Sequence, residues 1–359
     1  MGWSYEEMIK IQQLGNNVNR ELYNAMIKRR VALSAVLLAA LFALIILNIF
    51  IGSSDITLKE IIIAIFLREG KGHTVMIVNQ IRLPMALMAV AVGAGLGMGG
   101  CEIQTILRNP IASPYTLGIT NAATFGAAMG LILNMNVIKA SEPLMVTANS
   151  FLFALLASVL VYAFSLRPGA GKNGIILFGV ALNFLFNAST MILQYIANDE
   201  DLKSMVFWNM GSLLKTTWTK FYIVFSVVIV CFIIFHLNSW KLTAMTLDDT
   251  KARSLGVDTQ KVRQMVILLT SLLTAVSVCF IGAIGFVGII APHIARQFVG
   301  EDQRFFLPLS AMLGAFVVSI SFVVSKIVIP GVVLPIGLVT AMIGVPIFLF
   351  IVFRKMRTL

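Results

Sequence analysis

Residues 246–258 read Thr-Leu-Asp-Asp-Thr-Lys-Ala-Arg-Ser-Leu-Gly-Val-Asp, and this charged segment lies between two long apolar runs. The runs are Phe221–His236 and Met265–Ala291, and the second is longer than the roughly 20 residues that one helix needs to cross a bilayer. The whole chain of 359 residues is 58% hydrophobic and only 12% charged, with a mean hydropathy of +0.93. This composition excludes an ordinary soluble domain and predicts an all-α polytopic membrane protein.

The charged segment itself carries signals for two helices separated by a glycine. Asp248 or Asp249 can cap a short helix that continues through Arg253, because an aspartate accepts hydrogen bonds from the free N–H groups of a first turn. Gly256 can take the left-handed conformation that ends a helix, and Asp258 can cap a second helix that enters the bilayer. A rigid block of this kind suits a transporter that a cytoplasmic motor must grip. From the residues alone, an ordinary solvated loop is an equally good interpretation.

The apolar pattern predicts ten transmembrane helices in a domain spanning residues 31–359. The polar segment 1–30 is predicted to be cytoplasmic and has no signal-peptide pattern, so the first span itself would direct membrane entry. We split the long run 261–298 near Gly285, because it is too long for one span and contains several glycines. The predicted helices are 31–51, 82–106, 114–134, 143–166, 174–197, 220–238, 261–283, 286–298, 305–327 and 334–353.

The distribution of basic residues orients these helices. With the N-terminus inside, the inner segments hold 18 of the 27 Lys and Arg residues and the outer segments hold 9, as expected from the enrichment of cytoplasmic loops in basic residues. An even number of spans also places Arg354-Lys355-Met356-Arg357 inside. The predicted topology is therefore N-in and C-in, and the net charge of +11 reflects topology rather than a nucleic-acid partner.

Residues that carry metal or catalytic chemistry are sparse in this sequence. Cys101, Cys231 and Cys279 all lie in apolar runs and the three histidines are scattered, so we expect no metal site and no cofactor. Glu102 is a carboxylate inside an apolar helix, and we expect it to be hydrated near the inner surface or paired with Arg108. The alternative is a role in cation sensing or at an inner gate.

A glycine-rich turn, Gly-Ala-Gly-Lys-Asn-Gly at 169–174, is only superficially similar to a phosphate-binding loop. Leu166 stands where that motif needs its first glycine, and Asn173 stands where it needs a hydroxyl. The chain therefore lacks an ATP site of this type, and ATP hydrolysis would require a separate subunit.

Six motifs in a fixed order give the chain a family resemblance over about residues 80–355. The chain resembles the FecCD-type permeases, the membrane subunits of ABC importers for iron–siderophore complexes, haem and cobalamin. The motifs are Ile81-Arg-Leu-Pro84; the run Gly99 to Pro114 with Leu117-Gly118; Trp208-Asn-Met-Gly-Ser212; Ala252-Arg-Ser-Leu-Gly256; Gly282-Ala-Ile-Gly-Phe-Val-Gly-Ile-Ile-Ala-Pro-His293; and Leu334-Pro-Ile-Gly-Leu-Val-Thr-Ala341 up to Gly344.

The resemblance implies a type II ABC importer permease in the cytoplasmic (inner) membrane. Two permease subunits, identical or related, would surround one path, with two cytoplasmic ABC ATPase subunits below and an extracytoplasmic substrate-binding protein above. It implies that residues 246–258 form paired short coupling helices that fit a groove on the ATPase. There Lys251 would offer charge and Val257 part of an apolar plug, and the residues expected to act in coupling are Asp249, Ala252, Arg253, Leu255 and Gly256.

The resemblance also implies sites on the outer face and along the path. Arg82 and Lys326 would meet acidic residues of the binding protein, although Met85 and Val333 replace charged residues that the family often has nearby. From the residues alone, a basic side chain at a helix end is more often an anchor at the membrane surface. Helix 174–197 would contribute to the path through Asn183, Asn187 and Gln194.

We therefore expect a permease subunit that imports an iron complex, most simply a ferric siderophore, by alternating access. Haem and cobalamin are the alternative cargoes. An ion-coupled secondary transporter is the alternative from another class, but it would need intramembrane charges, and Glu102 is the one candidate that the sequence offers. A membrane enzyme is less well supported still, because the sequence contains no cluster of catalytic residues.

Overall fold

The computed structural model describes residues 5–52, 56–67, 72–135, 142–167 and 169–356, and within these ranges the fold is entirely helical. A short π-helical segment, Ile77–Arg82, joins α3 to α4. The helices are α1 Tyr5–Phe50, α2 Leu58–Phe66, α3 Gly72–Met76, α4 Leu83–Leu107, α5 Ile119–Ile132, α6 Glu142–Ser165, α7 Lys172–Ile196, α8 Asp199–Asn209, α9 Trp218–Leu237, α10 Ser239–Met245, α11 Asp249–Ser254, α12 Thr259–Ile281, α13 Val287–Val299, α14 Gln303–Ile327 and α15 Ile336–Met356.

Seven helical stretches in the described residues are long and apolar enough to cross a membrane. They are parts of α1, α4 with the segment before it, α6, α7, α9, α12 and α14. Two shorter apolar helices, Ile119–Ile132 and Ile336–Phe350, and the 13-residue helix α13 correspond to the other three predicted spans. The prediction of an all-α protein with about ten transmembrane helices is confirmed.

Several boundaries differ from the predicted ones because hydropathy does not report where a helix starts. Helix α1 begins at Tyr5, well before the predicted span at 31, since a helix can continue through polar residues. Helix α5 begins at Ile119 and not at 114. The residues before it form turns, in which Thr116 Oγ1 donates to the Ser113 carbonyl oxygen at 2.8 Å.

Four short elements were missed: α2, α3 with its π-helical extension, α8 and α10. They lie in the connections between the predicted spans. Two of them have clear local start signals: Thr57 and Glu60 form a capping box before α2, and Asn198 caps α8 by accepting from the Asp201 N–H. A search for spans overlooks such helices because they are short and partly polar.

Helix α4 occupies the centre of the fold and packs against α9, α12, α13 and α14. Most of its residues from Pro84 to Leu107 are buried. A Cβ added to Gly93 or Gly97 would collide with backbone oxygens of α14, at Gly314 and Ser310. These small residues thus let the backbones of α4 and α14 approach closely, which holds the two helices together along their length.

The two ends of α4 identify the two faces of the protein. At one end, Arg82 contacts the last residues of α1. At the other end, Arg108 contacts the segment before and within α11. Arg30 of α1 lies over the Phe305 ring at 4.8 Å, at the start of α14. The predicted N-in orientation therefore assigns the Arg108 end of α4 to the inner face.

Candidate coupling site at the inner face

The charged segment folds as the helix–glycine–helix block that its sequence predicts. Helix α11 ends in a Schellman motif, in which Gly256 N–H donates to the Arg253 oxygen at 2.8 Å and Val257 N–H to the Ala252 oxygen at 3.1 Å. Gly256 has a φ of +82°, the left-handed conformation that glycine adopts at low cost. Asp258 then caps α12 by accepting from the Lys261 N–H at 3.1 Å.

Helix α11 has one face exposed and one face buried. Lys251, Arg253 and Leu255 are exposed, and Leu255 keeps 49% of its surface accessible. Ala252 and Val257 are buried, at 0% and 3% exposure. The expectation that Val257 forms part of an outward apolar plug is therefore wrong, because its side chain packs inward. Ala252, on the buried face of α11, can contribute to coupling only through its packing inside the permease.

The two aspartates at the start of α11 do not cap it as expected. The Asp248 side chain makes no capping hydrogen bond. Arg108 instead binds both carboxylates, with 2.6 Å from Nη1 to Asp248 Oδ1 and 2.6 Å from Nη2 to Asp249 Oδ1. Asp249 also accepts from Lys172 Nζ at 2.8 Å and from Arg263 Nη2 at 3.0 Å. We call Asp248, Asp249, Arg108, Lys172 and Arg263 the inner ion-pair cluster.

Each cation of this cluster comes from the inner end of a different helix. Arg108 ends α4 in a left-handed conformation with φ of 48°, and its Nε donates to the Met245 oxygen at 3.2 Å. Lys172 is the first residue of α7, and Arg263 lies in the second turn of α12. The sequence shows basic residues at inner helix ends, but it contains no signal that these three meet one carboxylate.

The electrostatics of the cluster keep Asp249 ionised. Partial burial disfavours its charged form, but hydrogen bonds from Lys172 and Arg263 outweigh that effect and hold the pKa of Asp249 below its ordinary 3.8. Beside it, an open groove of about 390 Å³ separates α11 from the turn before α7, and its lining includes Gly171, Asn173 and Thr250. The glycine-rich turn thus lies next to the coupling segment.

The two residues predicted to dock a binding protein lie together at the other face, against the end of α1. Arg82 is 6% exposed, and its Nη1 donates to the Ile49 and Phe50 oxygens at 2.9 and 3.0 Å. Lys326 Nζ donates to the Asn48 oxygen at 2.6 Å. Both cations therefore bind the negative end of a helix dipole. This geometry does not match the alternative of an anchor at the membrane surface, because both side chains bind backbone oxygens of α1 inside the protein. Docking stays a prediction.

The three residues predicted to line the path lie along α7 in different environments. Asn183 Nδ2 donates to the Tyr115 and Thr116 oxygens at 3.2 and 3.3 Å, so its amide fixes the turn before α5. Asn187 is exposed and Gln194 is half-buried. Around them α7 presents an uncovered apolar face, on which Tyr195 is 91% exposed. Their role in a path stays a prediction.

Glu102 differs from its expected environment. The residue is fully buried and is not hydrated at the inner surface. Arg108, its expected partner, binds the two aspartates instead. Glu102 Oε2 has no hydrogen-bond partner in the part of the chain that the structure describes, and Cys101 Sγ lies 3.9 Å from Oε1. The expectation of a hydrated or Arg108-paired carboxylate is therefore wrong.

Comparison with known proteins identifies similar membrane proteins. Residues 39–354 match the FecCD transport family. An ABC transporter permease of Methanocaldococcus jannaschii is 36% identical over 93% of this chain and 98% of that protein. The molybdate import permease MolB of Haemophilus influenzae is 34% identical over 78% of this chain and 82% of that protein. The hemin transport permease HmuU of Yersinia pestis is 31% identical over 77% and 83%.

One solved structure resembles nearly the whole fold. It is described as an inward-facing conformation of a metal-chelate type ABC transporter, and it aligns with a TM-score of 0.79 at 30% identity. The alignment covers 90% of this chain and 99% of that chain.

Proposed function

We propose that this chain, which belongs to the FecCD transport family, imports an iron complex. Membership of this family makes it a multi-pass permease subunit of an ABC importer in the cytoplasmic membrane. A ferric siderophore is the first candidate cargo. Support comes from the similarity to a metal-chelate type transporter and to an Fe(3+)-citrate permease of Bacillus subtilis, which is 30% identical over 90% of this chain. Haem and cobalamin stay as alternative cargoes, because relatives are named for hemin and cobalamin import.

The observation that carries the transport mechanism is the two-faced helix α11. Its exposed Lys251, Arg253 and Leu255 offer charge and an apolar side chain to a partner, while its other side is bound to the permease. A separate pair of ATPase subunits would grip this surface. Their closure on ATP would move α11, and the permease helices would then open the path to one side, as alternating access requires.

The uncovered face of α7 supports a second permease subunit, either another copy or a related chain. Phe184, Met191 and Tyr195 are 71%, 60% and 91% exposed there. Apolar side chains of this kind can face lipid or a partner subunit, and the polar Asn187 among them favours a partner and a path between the two. A binding protein would deliver the chelate to the outer end of this path.

An ion-coupled secondary transporter is less well supported. Such a transporter needs intramembrane charges that face its substrate path. Glu102 is fully buried beside Cys101 in α4, so its carboxylate faces no open path in this structure. Nor would this alternative account for the ordered block α11.

Two measurements test the proposal. The complete importer in liposomes, comprising this permease, its ATPase and its binding protein, is given radiolabelled ferric siderophore, haem, cobalamin and molybdate in parallel. We expect ATP-dependent uptake of the ferric siderophore. Uptake of another cargo alone would correct the substrate, and ATP-independent uptake would overturn the importer mechanism.

The second measurement tests the grip of the ATPase on α11. Arg253→Glu and Gly256→Pro are expected to break copurification of the ATPase or to abolish ATP-driven uptake, while the permease still folds. Lys203→Glu serves as the matched control, because it makes the same charge change on an exposed residue of α8 at the other face. Equal behaviour of all three variants and the wild type would show that α11 is not the grip.

A further inference from the structure

Most ion pairs among the described residues belong to the inner ion-pair cluster. Of the seven ion pairs among the described residues, four join Asp248 or Asp249 to a cation of the cluster. The other three pair residues that are close in sequence, such as Lys261 with Asp258. The four cluster pairs are different, because they connect helices that are distant along the chain. They fix the position of α11 relative to the transmembrane helices.

The carboxylate of Asp249 points toward the permease. The side chains of Arg263, Lys172 and Arg108 are only 12%, 17% and 25% exposed, whereas Asp249 and Asp248 are 38% and 70% exposed. The pairs of Asp249 are thus more shielded from water than ordinary surface ion pairs, so their attraction is stronger. Lys251, Arg253 and Leu255 meanwhile occupy the exposed side of the same short helix.

The partners of Asp249 link it to helices with different roles. Arg108 ends α4, which is buried along most of its length and starts beside Arg82 at the opposite face. Lys172 begins α7, the helix with the uncovered apolar face. Arg263 is part of α12, which continues from the coupling segment itself. Ion pairs thus connect α11 directly to the inner ends of α4, α7 and α12.

We propose that Asp249 is a positioning residue that transmits the movement of α11 to α7 through Lys172 and to α4 through Arg108. The inference rests on the proposed function, because it assumes an ATPase that moves α11. It adds that the grip and the transmission are separate: Arg253 and Leu255 contact the motor, and Asp249 connects the gripped helix to the path helix.

Removing the charge of Asp249 should do more than delete hydrogen bonds. Arg108, Lys172 and Arg263 would then face one another with Asp248 as the remaining acid of the cluster, and like charges at this distance repel. The inner ends of α4, α7 and α12 would move apart, while the exposed side of α11 would be unchanged. An Asp249→Asn protein is therefore expected to bind its ATPase and hydrolyse ATP, with α7 no longer responding.

The test uses a cysteine reporter on α7 and needs no cargo. Cys101, Cys231 and Cys279 are buried, so a small maleimide should label Ala188→Cys selectively. Ala188 lies on the uncovered face of α7, next to Asn187, and the maleimide would reach it through the proposed path. The permease–ATPase complex in lipid nanodiscs is labelled without nucleotide and after trapping with ATP and vanadate. Trapped nucleotide is measured on the same samples, and it reports whether the motor still closes.

In the Ala188→Cys protein, the labelling rate follows the population in which the thiol is accessible, and a coupling of about 1 kcal/mol would change that population about fivefold on trapping. Adding Asp249→Asn should abolish that change with trapping intact. Asp249→Glu should restore part of it because the carboxylate returns. Asp258→Asn is the matched control: Asp258 pairs with Lys261 of its own helix and lies outside the cluster, so its reporter response should equal that of the parent protein.

The outcomes separate the two proposals. A full labelling change in Asp249→Asn would overturn the role of Asp249 and leave the importer function intact. Loss of the change together with loss of trapped nucleotide would also overturn it, because Asp249 would then act in the grip. Failure of the parent complex to trap nucleotide at all would count against the proposed function, and the inference would fail with it.

Discussion

At the scale of single residues, the backbone at Gly256 is the clearest case in which sequence dictates geometry. Its φ of +82° lies in the region that a Cβ disfavours, yet a Cβ placed there would meet no atom within 4 Å. Any cost of a substitution therefore comes from the backbone and not from crowding. Gly171, at the start of α7, also has open space around it, but its φ is −69°.

The two glycines make a matched pair. Gly256→Ala is expected to destabilise the protein by about 1 kcal/mol, the usual cost of a left-handed alanine. Gly171→Ala is expected to cost less, no more than about 0.5 kcal/mol, because its φ is ordinary and the loss is only that of alanine relative to glycine at the N-cap of α7. Reversible unfolding in mixed micelles measures both. Equal effects of the two changes would show that Gly256 is not held in the left-handed conformation.

Asp249 gives a second residue-scale prediction, on pH. Because its pKa is below the ordinary 3.8 in the folded protein, its ionised form is stabilised by folding. This contribution is fully present above the unfolded pKa and is lost as the pH falls through the folded pKa. The difference in unfolding free energy between wild type and Asp249→Asn should therefore be constant from about pH 6 to 8, well above the ordinary aspartate pKa. A difference that varies within that window would assign the titration to another group.

At the scale of helices, the end of α1 is held by side chains from two other elements. Arg82 precedes α4 and Lys326 lies in the last turn of α14, and both donate to carbonyl oxygens of Asn48–Phe50. Asn48 Nδ2 in turn donates to the Ser319 oxygen at 3.0 Å. Arg82 and Lys326, which are predicted to dock a binding protein, therefore also join α1 to the core. The anchoring role and the docking role predict different effects of a substitution.

Lys326→Met separates the anchoring role from the docking role. Loss of the ammonium group leaves the carbonyl oxygen of Asn48 without this donor, so the last turn of α1 should exchange its amide hydrogens faster. Hydrogen exchange at residues 47–52 measures this. Lys220→Met is the control, because Lys220 Nζ donates to the oxygen of Lys215, five residues earlier. Unchanged exchange with weaker binding-protein affinity would favour docking alone.

At the scale of the whole molecule, burial is uneven among the spans. Helices α12 and α14 are mostly buried within the chain, while α1, α7 and α9 are mostly uncovered. Lipid can cover α1 and α9, but α7 also carries Asn187 and Gln194 on exposed or half-buried positions. This combination favours a partner subunit against α7.

Cross-linking tests which surface meets a second copy. Met191→Cys on α7 is expected to form disulfide-linked dimers in the membrane under mild oxidation, and Val36→Cys on α1, which is similarly exposed at 68%, is expected to stay monomeric. All three native cysteines are buried and should not react. Disulfide-linked dimers of Val36→Cys but not of Met191→Cys would show that the partner lies against α1, and would contradict the proposed interface at α7.

The sequence by itself determined the class of fold, the approximate number and position of the spans, the Gly256 turn and the family. Each of these depends on local chemistry: the length of apolar runs, the conformational freedom of one glycine, or motifs in a fixed order. The short helices α2, α8 and α10 escaped because they are too short to produce a span-like hydropathy signal.

Only the tertiary structure decided which charged groups meet. Arg108, Lys172 and Arg263 are separated from Asp249 by 141, 77 and 14 positions, and each is an unremarkable basic residue at an inner helix end. The burial of Glu102 and the contact of Lys326 with α1 likewise could not be predicted from the sequence. Such pairings depend on how the helices cross. The crossing is set by close packing, such as that of Gly93 on Gly314. A local pattern of charged residues in the sequence does not encode this packing.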